Sequence, residues 1–232
     1  MMSSTLSVLI VIVLCLVSGH HLVSPSRVTG SILLEVEMSY PNWFKQIAQY
    51  NFEEFLLPEA GKPNLRYLQL GVFTGDASLW LLEKVLTHDT SRLTDVDTWK
   101  GAANEPIQEQ MDFEDVYSTY LNKIKDYKVR IERFTTADFL LSQYGCDRPL
   151  GEYFDFIYVD AHHTSASAFL DSELSWPLLR SGGILAIDDY EWLHPGGNPI
   201  HAPKLGIHMF LDRHEGEYKL LAKNSQVWIR KH

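Results

Sequence analysis

Phe154-Asp155-Phe156-Ile157-Tyr158-Val159-Asp160-Ala161-His162-His163-Thr164 decides how this chain is read. Its first six residues are aromatic or β-branched apart from Asp155, the composition of a strand. Groups that can do chemistry, Asp160, His162 and His163, come only where that run stops. Open α/β sheets bind ligands outside the carboxyl ends of their strands, so the segment predicts a strand whose tip carries a site. Downstream, Gly183-Ile184-Leu185-Ala186-Ile187 repeats the arrangement and ends on Asp188 and Asp189.

Working outward, short β-branched runs alternate with longer stretches of helical period, the pattern of a parallel sheet covered by helices. Strands are predicted at Arg66–Leu70, Arg92–Val96, Val129–Arg133, Phe154–Val159, Gly183–Ile187, Tyr218–Ala222 and Gln226–Arg230. Ser78–Leu86, Phe113–Lys125, Ala137–Gln143, Ser165–Leu179 and Lys204–Arg213 carry apolar residues three and four apart, as amphipathic helices do. Only Lys223, Asn224 and Ser225 separate the last two strands. That is too short for a parallel crossover, so those strands pair as an antiparallel hairpin. The expected fold is α/β and Rossmann-like: a mostly parallel seven-stranded sheet with helices on both faces and a C-terminal antiparallel hairpin.

Residues 1–37 read differently. Leu6 to Val17 is apolar except for Ser7, and is followed by small residues at Ser18 and Gly19. The run is about half of the ~20 residues a spanning helix needs. It resembles a signal-peptide core without the usual preceding Lys or Arg. Met38, ahead of the amphipathic stretch from Tyr40, also suits a start, which would make the segment a non-native extension. The predicted catalytic domain is 38–232. The protein is expected in the cytoplasm, with the secretory pathway as the alternative and a membrane as partner only if the apolar segment is an uncleaved anchor.

The 232 residues are 45% apolar and 22% charged, enough for one sizeable core. Lys+Arg total 20 against 30 Asp+Glu, a formal charge of -10, and no stretch gathers the basic residues that track phosphates. Nucleic acid is therefore not the expected partner. Two cysteines, Cys15 and Cys146, form neither a disulfide framework nor a Cys-x-x-Cys zinc site. Any metal must be held by oxygen or imidazole.

Five strand tips together frame the site. Gly71 and Gly75 follow the first strand as G-x-x-x-G, which permits a tight turn and close backbone approach before a helix. It is neither the G-x-G-x-x-G of dinucleotide folds nor a P-loop. Asp97, after the second strand, stands where a ribose diol can donate to it; a turn or helix-cap aspartate is the competing reading. After the third, Thr135, Thr136 and Asp138 offer hydroxyls and a carboxylate at a helix start, and an N-cap explains them equally. After the fourth and fifth, Asp160, Asp188 and Asp189 would repel one another if brought together. A hard divalent cation such as Mg²⁺, which takes a few carboxylates plus waters and substrate oxygens, resolves that conflict. Separate solvated aspartates capping helices are the alternative.

Taken in order, Tyr158-Val-Asp-Ala-His-His-Thr-Ser, Leu179-Arg-Ser-Gly-Gly and Ile187-Asp-Asp-Tyr resemble the class I S-adenosylmethionine-dependent methyltransferases. The likeness is to the small O-methyltransferase group whose central motif reads roughly Phe-Ile-Asp-Gly-Asp-His-Ser-Tyr. The resemblance spans residues 66–231. It implies S-adenosylmethionine as cofactor, with Gly71 and Gly75 near its methionine part, Asp97 on the ribose, Thr136 and Asp138 beside the adenine, and Gln69 and Asp160 bordering the pocket. In the metal-dependent members an aspartate after the fourth strand and an acidic pair after the fifth bind the ion, which corresponds to Asp160, Asp188 and Asp189. Three positions depart from the pattern. Gln69 replaces a residue that is often acidic, Ala161-His162 replaces Gly-Asp, and Thr164-Ser165 replaces Ser-Tyr.

The expected activity is methyl transfer to a hydroxyl oxygen of a small molecule, helped by a divalent cation. Asp160 and His163 are the expected catalytic residues, His163 as acceptor of the released proton. Trp43 and Phe44 suit either a cover for the cofactor or simple core packing. The loop from Glu191 to Pro203, with His194 and His201, has the length and glycine content of a substrate-covering segment. A dinucleotide-dependent oxidoreductase, a metal-dependent hydroxylase or hydrolase, and a cofactor-binding protein without turnover are the alternatives. The partner is a hydroxylated small molecule, and a homodimer is allowed.

Overall fold

The computed structural model describes residues 40–101, 108, 111–145 and 153–232. The apolar run from Leu6 to Val17, the residues up to 39 and Cys146 lie outside the described residues.

Seven strands form one sheet: β1 Arg66–Leu70, β2 Arg92–Val96, β3 Val129–Glu132, β4 Phe154–Val159, β5 Leu179–Ile187, β6 Tyr218–Lys223 and β7 Val227–Lys231. Their order is β3-β2-β1-β4-β5-β7-β6. The first five run parallel, and β7 is antiparallel to both β5 and β6. The chain order reverses between β1 and β4, the kind of position beside which open α/β sheets bind ligands. Gly71 N donates to Val96 O at 2.9 Å and Asp160 N to Leu70 O at 2.8 Å, so the tips of β2, β1 and β4 are laced together.

Two apolar layers hold the sheet. On one face Tyr67, Leu93, Phe156, Tyr158 and Trp228 meet helices α1 Gln49–Leu56, α2 Asp76–Lys84 and α3 Phe113–Ile124. Phe52, fully buried, fixes α1 by edge contacts to Phe156, Tyr158 and Trp228 with ring centroids 5.7, 5.0 and 5.2 Å apart. Truncating such a ring to Ala costs about 3–5 kcal/mol. On the other face Leu68, Leu70, Val96, Ile157, Val159, Leu185 and Ile187 meet α4 Thr136–Ser142, α5 Ser165–Ser175 and α6 Pro203–Arg213.

The bounds of β1, β2 and β4 coincide with the sequence reading. The helix read over Ser165–Leu179 ends at Ser175, because Pro177 lacks an amide hydrogen and a 3-10 turn at Trp176–Leu178 replaces the last turn. That frees Leu179 to begin β5 four residues ahead of the predicted Gly183. α2 starts at Asp76, two residues before the expected Ser78, because Gly75 takes the left-handed conformation at φ 79° and serves as its N-cap.

Candidate active site

The turn after β1 is built on Gly71, whose φ is +83°. A Cβ added there would stand 1.8 Å from Asp160 O, so only glycine lets β1 pass over the tip of β4. The space beside Gly71 is thus taken by the Asp160–Ala161 backbone rather than by side chains. At Gly75 a Cβ would meet the Tyr120 ring at 2.6 Å. Both glycines have a packing reason that needs no ligand. Gln69, 2% exposed, braces the same turn: its amide donates to Gly71 O at 3.1 Å and accepts from Ser78 Oγ at 3.3 Å.

Asp97, at the tip of β2, ties this turn to its own. Oδ2 accepts from Val72 N and Phe73 N at 2.7 and 3.1 Å, and Oδ1 from Trp99 N at 2.8 Å. A carboxylate offers about four acceptor sites, so these bonds leave room for about one more donor where a free carboxylate could receive a whole diol. The indole of Trp99 closes the loop by donating to Phe73 O at 2.9 Å. Two residues before Asp97, Asp95 is fully buried. Burial raises its carboxyl to about 7, against the opposing hydrogen bonds of Ser78 and Tyr120.

At the tip of β3, Thr135 is the N-cap of α4: its Oγ1 accepts from Asp138 N at 3.1 Å and donates to Asp138 Oδ2 at 2.7 Å. Thr136 donates to Asp171 Oδ1 at 2.7 Å. Asp171 on α5 is 2% exposed, and burial pushes it up to about 6 in spite of that bond. The side chains of Thr136 and Asp138 are therefore engaged in capping and in helix-to-helix bonding.

The tips of β4 and β5 carry the densest chemistry. Ligand atoms of Asp160, His163 and Asp189 all lie within 4.8 Å of one another. His163 Nε2 is 2.8 Å from Asp189 Oδ2, and their side chains remain 20% and 21% exposed, open enough to meet a ligand. Asp188 belongs to the same charged group but faces inward: its Oδ2 accepts from the Tyr158 hydroxyl and from Gln226 Nε2 at 3.0 Å, and its Oδ1 from Asp189 N at 2.7 Å. Burial first, then the charges of Asp188 and Asp189, hold Asp160 well above the usual carboxylate range, while His163 pulls it back. Burial and Asp189 push Asp188 up to about 6. Two carboxylates and an imidazole this close suit a divalent cation, which relieves the repulsion that otherwise keeps a proton there.

Aromatic rings extend from this cluster along the loop after β5. Trp192 lies 5.1 Å from His163, His194 6.0 Å from Trp192 and His201 5.1 Å from His194, centroid to centroid. Leu193 in that loop is 74% exposed. Trp43 packs at a tilt against Phe73 of the β1 turn, ring centroids 4.9 Å apart, whereas Phe44 packs edge-on against Phe52 in the core.

Residues 68–190 match the family described as Methyltransferase domain. That is more than half of the chain, and the chain belongs to this family. Its sheet order and terminal hairpin are those of the Rossmann-like class I S-adenosylmethionine-dependent methyltransferases. Among solved structures it is similar to a putative rRNA-methylase from Clostridium thermocellum, with 13% identity, TM-score 0.55, and 84% of this chain and 98% of that one covered. An O-methyltransferase from Bacillus cereus in complex with SAH gives 15% identity, TM-score 0.51 and coverages of 84% and 94%. The N-methyltransferase NodS from Bradyrhizobium japonicum WM9 gives 13%, 0.50, and 82% and 97%. At these identities the shared property is the fold. No curated protein matches the chain. Among the described residues, no helix is long and apolar enough to cross a membrane.

Tyr158, Gln226, Asp171 and Trp192 were not singled out from sequence. Asp171 left a trace: it sits on the inward stripe Ala168–Ser172–Ser175 of α5, where a carboxylate breaks the pattern. Gln226 left none, since its partners are remote in sequence.

Proposed function

We propose that this chain transfers the methyl group of S-adenosylmethionine to a hydroxyl oxygen of a small molecule, with a divalent cation held by Asp160, Asp189 and His163. The observation that carries the reading is the convergence of those three donors within 4.8 Å at the tips of β4 and β5, next to the reversal of strand order between β1 and β4 where open sheets bind ligands.

The transfer is an in-line displacement: the acceptor oxygen bonds to the methyl carbon as the carbon–sulfur bond breaks, giving the methyl ether, S-adenosylhomocysteine and a proton. When bound, the cation lowers the pKa of a coordinated hydroxyl and orients it. The chain's own residues supply alignment, worth about 7–11 kcal/mol in well-oriented systems. Asp97 fixes the turns after β1 and β2 that would receive the cofactor. Asp188, held by Tyr158 and Gln226, keeps the Asp189 turn in place. Trp192 lies against His163 and supports an acceptor from the loop side. The 2.8 Å contact between His163 and Asp189 favours a second reading. In it Asp189 orients the imidazole, and His163 itself takes the hydroxyl proton without an ion.

The test is calorimetric titration of the full chain with S-adenosylmethionine, then mass spectrometry of a catechol and sugar panel with and without a chelator. Binding and chelator-sensitive O-methylation support the first reading. Chelator-insensitive transfer moves the proposal to the His163–Asp189 pair, and folded protein that gives no heat ends it.

A further inference from the structure

We infer that Gln226 is a positioning residue of the reaction centre: through Asp188 it fixes Asp189 against His163, and it ties that turn to the N-terminal helix α1. Gln226 is fully buried in the link between β6 and β7. Its Oε1 accepts from Trp228 Nε1 and from Asn51 Nδ2, each at 2.8 Å. An indole N–H can only donate, so the amide is oriented without ambiguity, and its nitrogen must face the other way. There Nε2 donates to Asp188 Oδ2 at 3.0 Å and reaches the Tyr158 hydroxyl at 3.3 Å.

The same link acts a second time. Ser225 O accepts from Tyr190 N at 2.8 Å. Asp189 is thus bracketed by the hairpin, through the Asp188 side chain before it and the Tyr190 amide after it. Asp189 needs that support, because it is a non-glycine residue at φ 57°, a strained conformation that persists only where its surroundings fix it. The strained turn is what presents its carboxylate to His163 at 2.8 Å. On the far side Asn51, 1% exposed on α1, also exchanges bonds with Asn224 at 3.2 and 3.3 Å. A buried polar chain this well satisfied specifies one geometry.

The catalytic arm of the test rests on the proposed methyl transfer, and the structural arm does not. Gln226→Met fills a similar volume and removes the donor to Asp188 together with the acceptor for Trp228 and Asn51. Two-bond ¹⁵N–¹H spectra of the cation-free protein should show His163 losing the Nε2–H tautomer pinned by Asp189. The kcat for the acceptor should fall about 10- to 100-fold, the range for partners that orient functional groups. Affinity for S-adenosylmethionine should stay within about threefold, because the β1 turn is untouched. An unchanged His163 spectrum together with wild-type kcat overturns the inference. If Gln226→Met fails to fold, Gln226→Asn, whose shorter amide cannot span Trp228 and Asp188 together, is judged by the same two readouts. If the wild-type chain methylates no hydroxyl, the proposed function fails while the imidazole spectrum still decides the role of Gln226.

Discussion

Asp97 clamps Phe73: its Oδ2 accepts the Phe73 backbone amide at 3.1 Å, and Phe73 stands at φ 52°, where side chains other than glycine are strained. The other oxygen does the same for Trp99, whose φ is 46°. One carboxylate therefore holds two unfavourable backbone conformations in the turns after β1 and β2. Asp97→Ala should remove three charge-assisted bonds and let both turns relax. The expected loss is about 2–4 kcal/mol of stability in urea unfolding. Affinity for S-adenosylmethionine should fall at least about tenfold by calorimetry, since a loss of 1.4 kcal/mol alone is that factor. Unchanged binding would leave Asp97 a turn residue only.

Gly71→Ala carries a sharper expectation. The added carbon would stand 1.8 Å from Asp160 O and 2.5 Å from Asp160 C, and the backbone there cannot swing aside as a side chain would. With φ at +83° the substitution is strained even before that clash. A loss of about 4 kcal/mol or more, in the rare and diagnostic tail for single substitutions, should appear as a large drop in urea midpoint or as failure to accumulate folded protein. A near-wild-type midpoint would mean that the tips of β1 and β4 are not laced as described.

Much of this was legible in the sequence because it is local. The apolar runs of β4 and β5 stop abruptly at Asp160 and Asp188, so the sequence marks where those strands end. The Asp97-to-Trp99 bond is also a local turn, two residues long, which is why the turn reading of Asp97 and its place at a strand tip both hold. What links Asp97 to Val72 is the pairing of β1 with β2, and no local pattern encodes that. The division of labour between Asp188 and Asp189 was hidden for the same reason. It depends on Tyr158 and Gln226, 30 and 38 residues away along the chain, and on Asn51, 175 residues from Gln226. Thr136 and Asp138 were readable as capping residues, and Thr135 with Asp138 does form that cap.

Asp95 should make stability depend on pH. Its carboxyl is raised to about 7 in the folded chain, mainly by burial, from an ordinary 3.8. The folded state keeps a proton that the unfolded state has already released. The contribution is therefore fully present below about pH 4, declines as pH rises towards 7, and is flat above. At 1.36 kcal/mol per unit the decline amounts to about 4 kcal/mol. Asp95→Asn cannot ionise, and its carbonyl still accepts from the Tyr120 hydroxyl, which donates to Asp95 Oδ2 at 2.9 Å. The difference in unfolding free energy between Asp95→Asn and wild type should grow in the variant's favour from pH 4 to pH 7. A difference that does not vary with pH would show that Asp95 is ionised in the folded protein.

Adding a divalent cation should stabilise the chain, because a cation bound among Asp160, Asp189 and His163 replaces a proton that burial, and then repulsion from Asp188 and Asp189, otherwise keeps on Asp160. Binding to the folded state alone contributes about 2.7 kcal/mol when the ion is at about 100 times its Kd. For a domain of this size each kcal/mol moves Tm by roughly 2–4 °C, so Mn²⁺ or Mg²⁺ should raise Tm by about 5–10 °C, and a chelator should reverse it. Protons compete for the same carboxylates, so the shift should grow as pH rises. Asp160→Asn and Asp189→Asn each remove one ligand charge and should abolish most of the shift. Asp97→Asn, at the tip of β2 and outside the three-donor cluster, should leave it intact. If the shift is absent in the wild type, or survives in Asp160→Asn, the carboxylates at the tips of β4 and β5 do not hold the ion, and methyl transfer must rely on His163 and Asp189 alone.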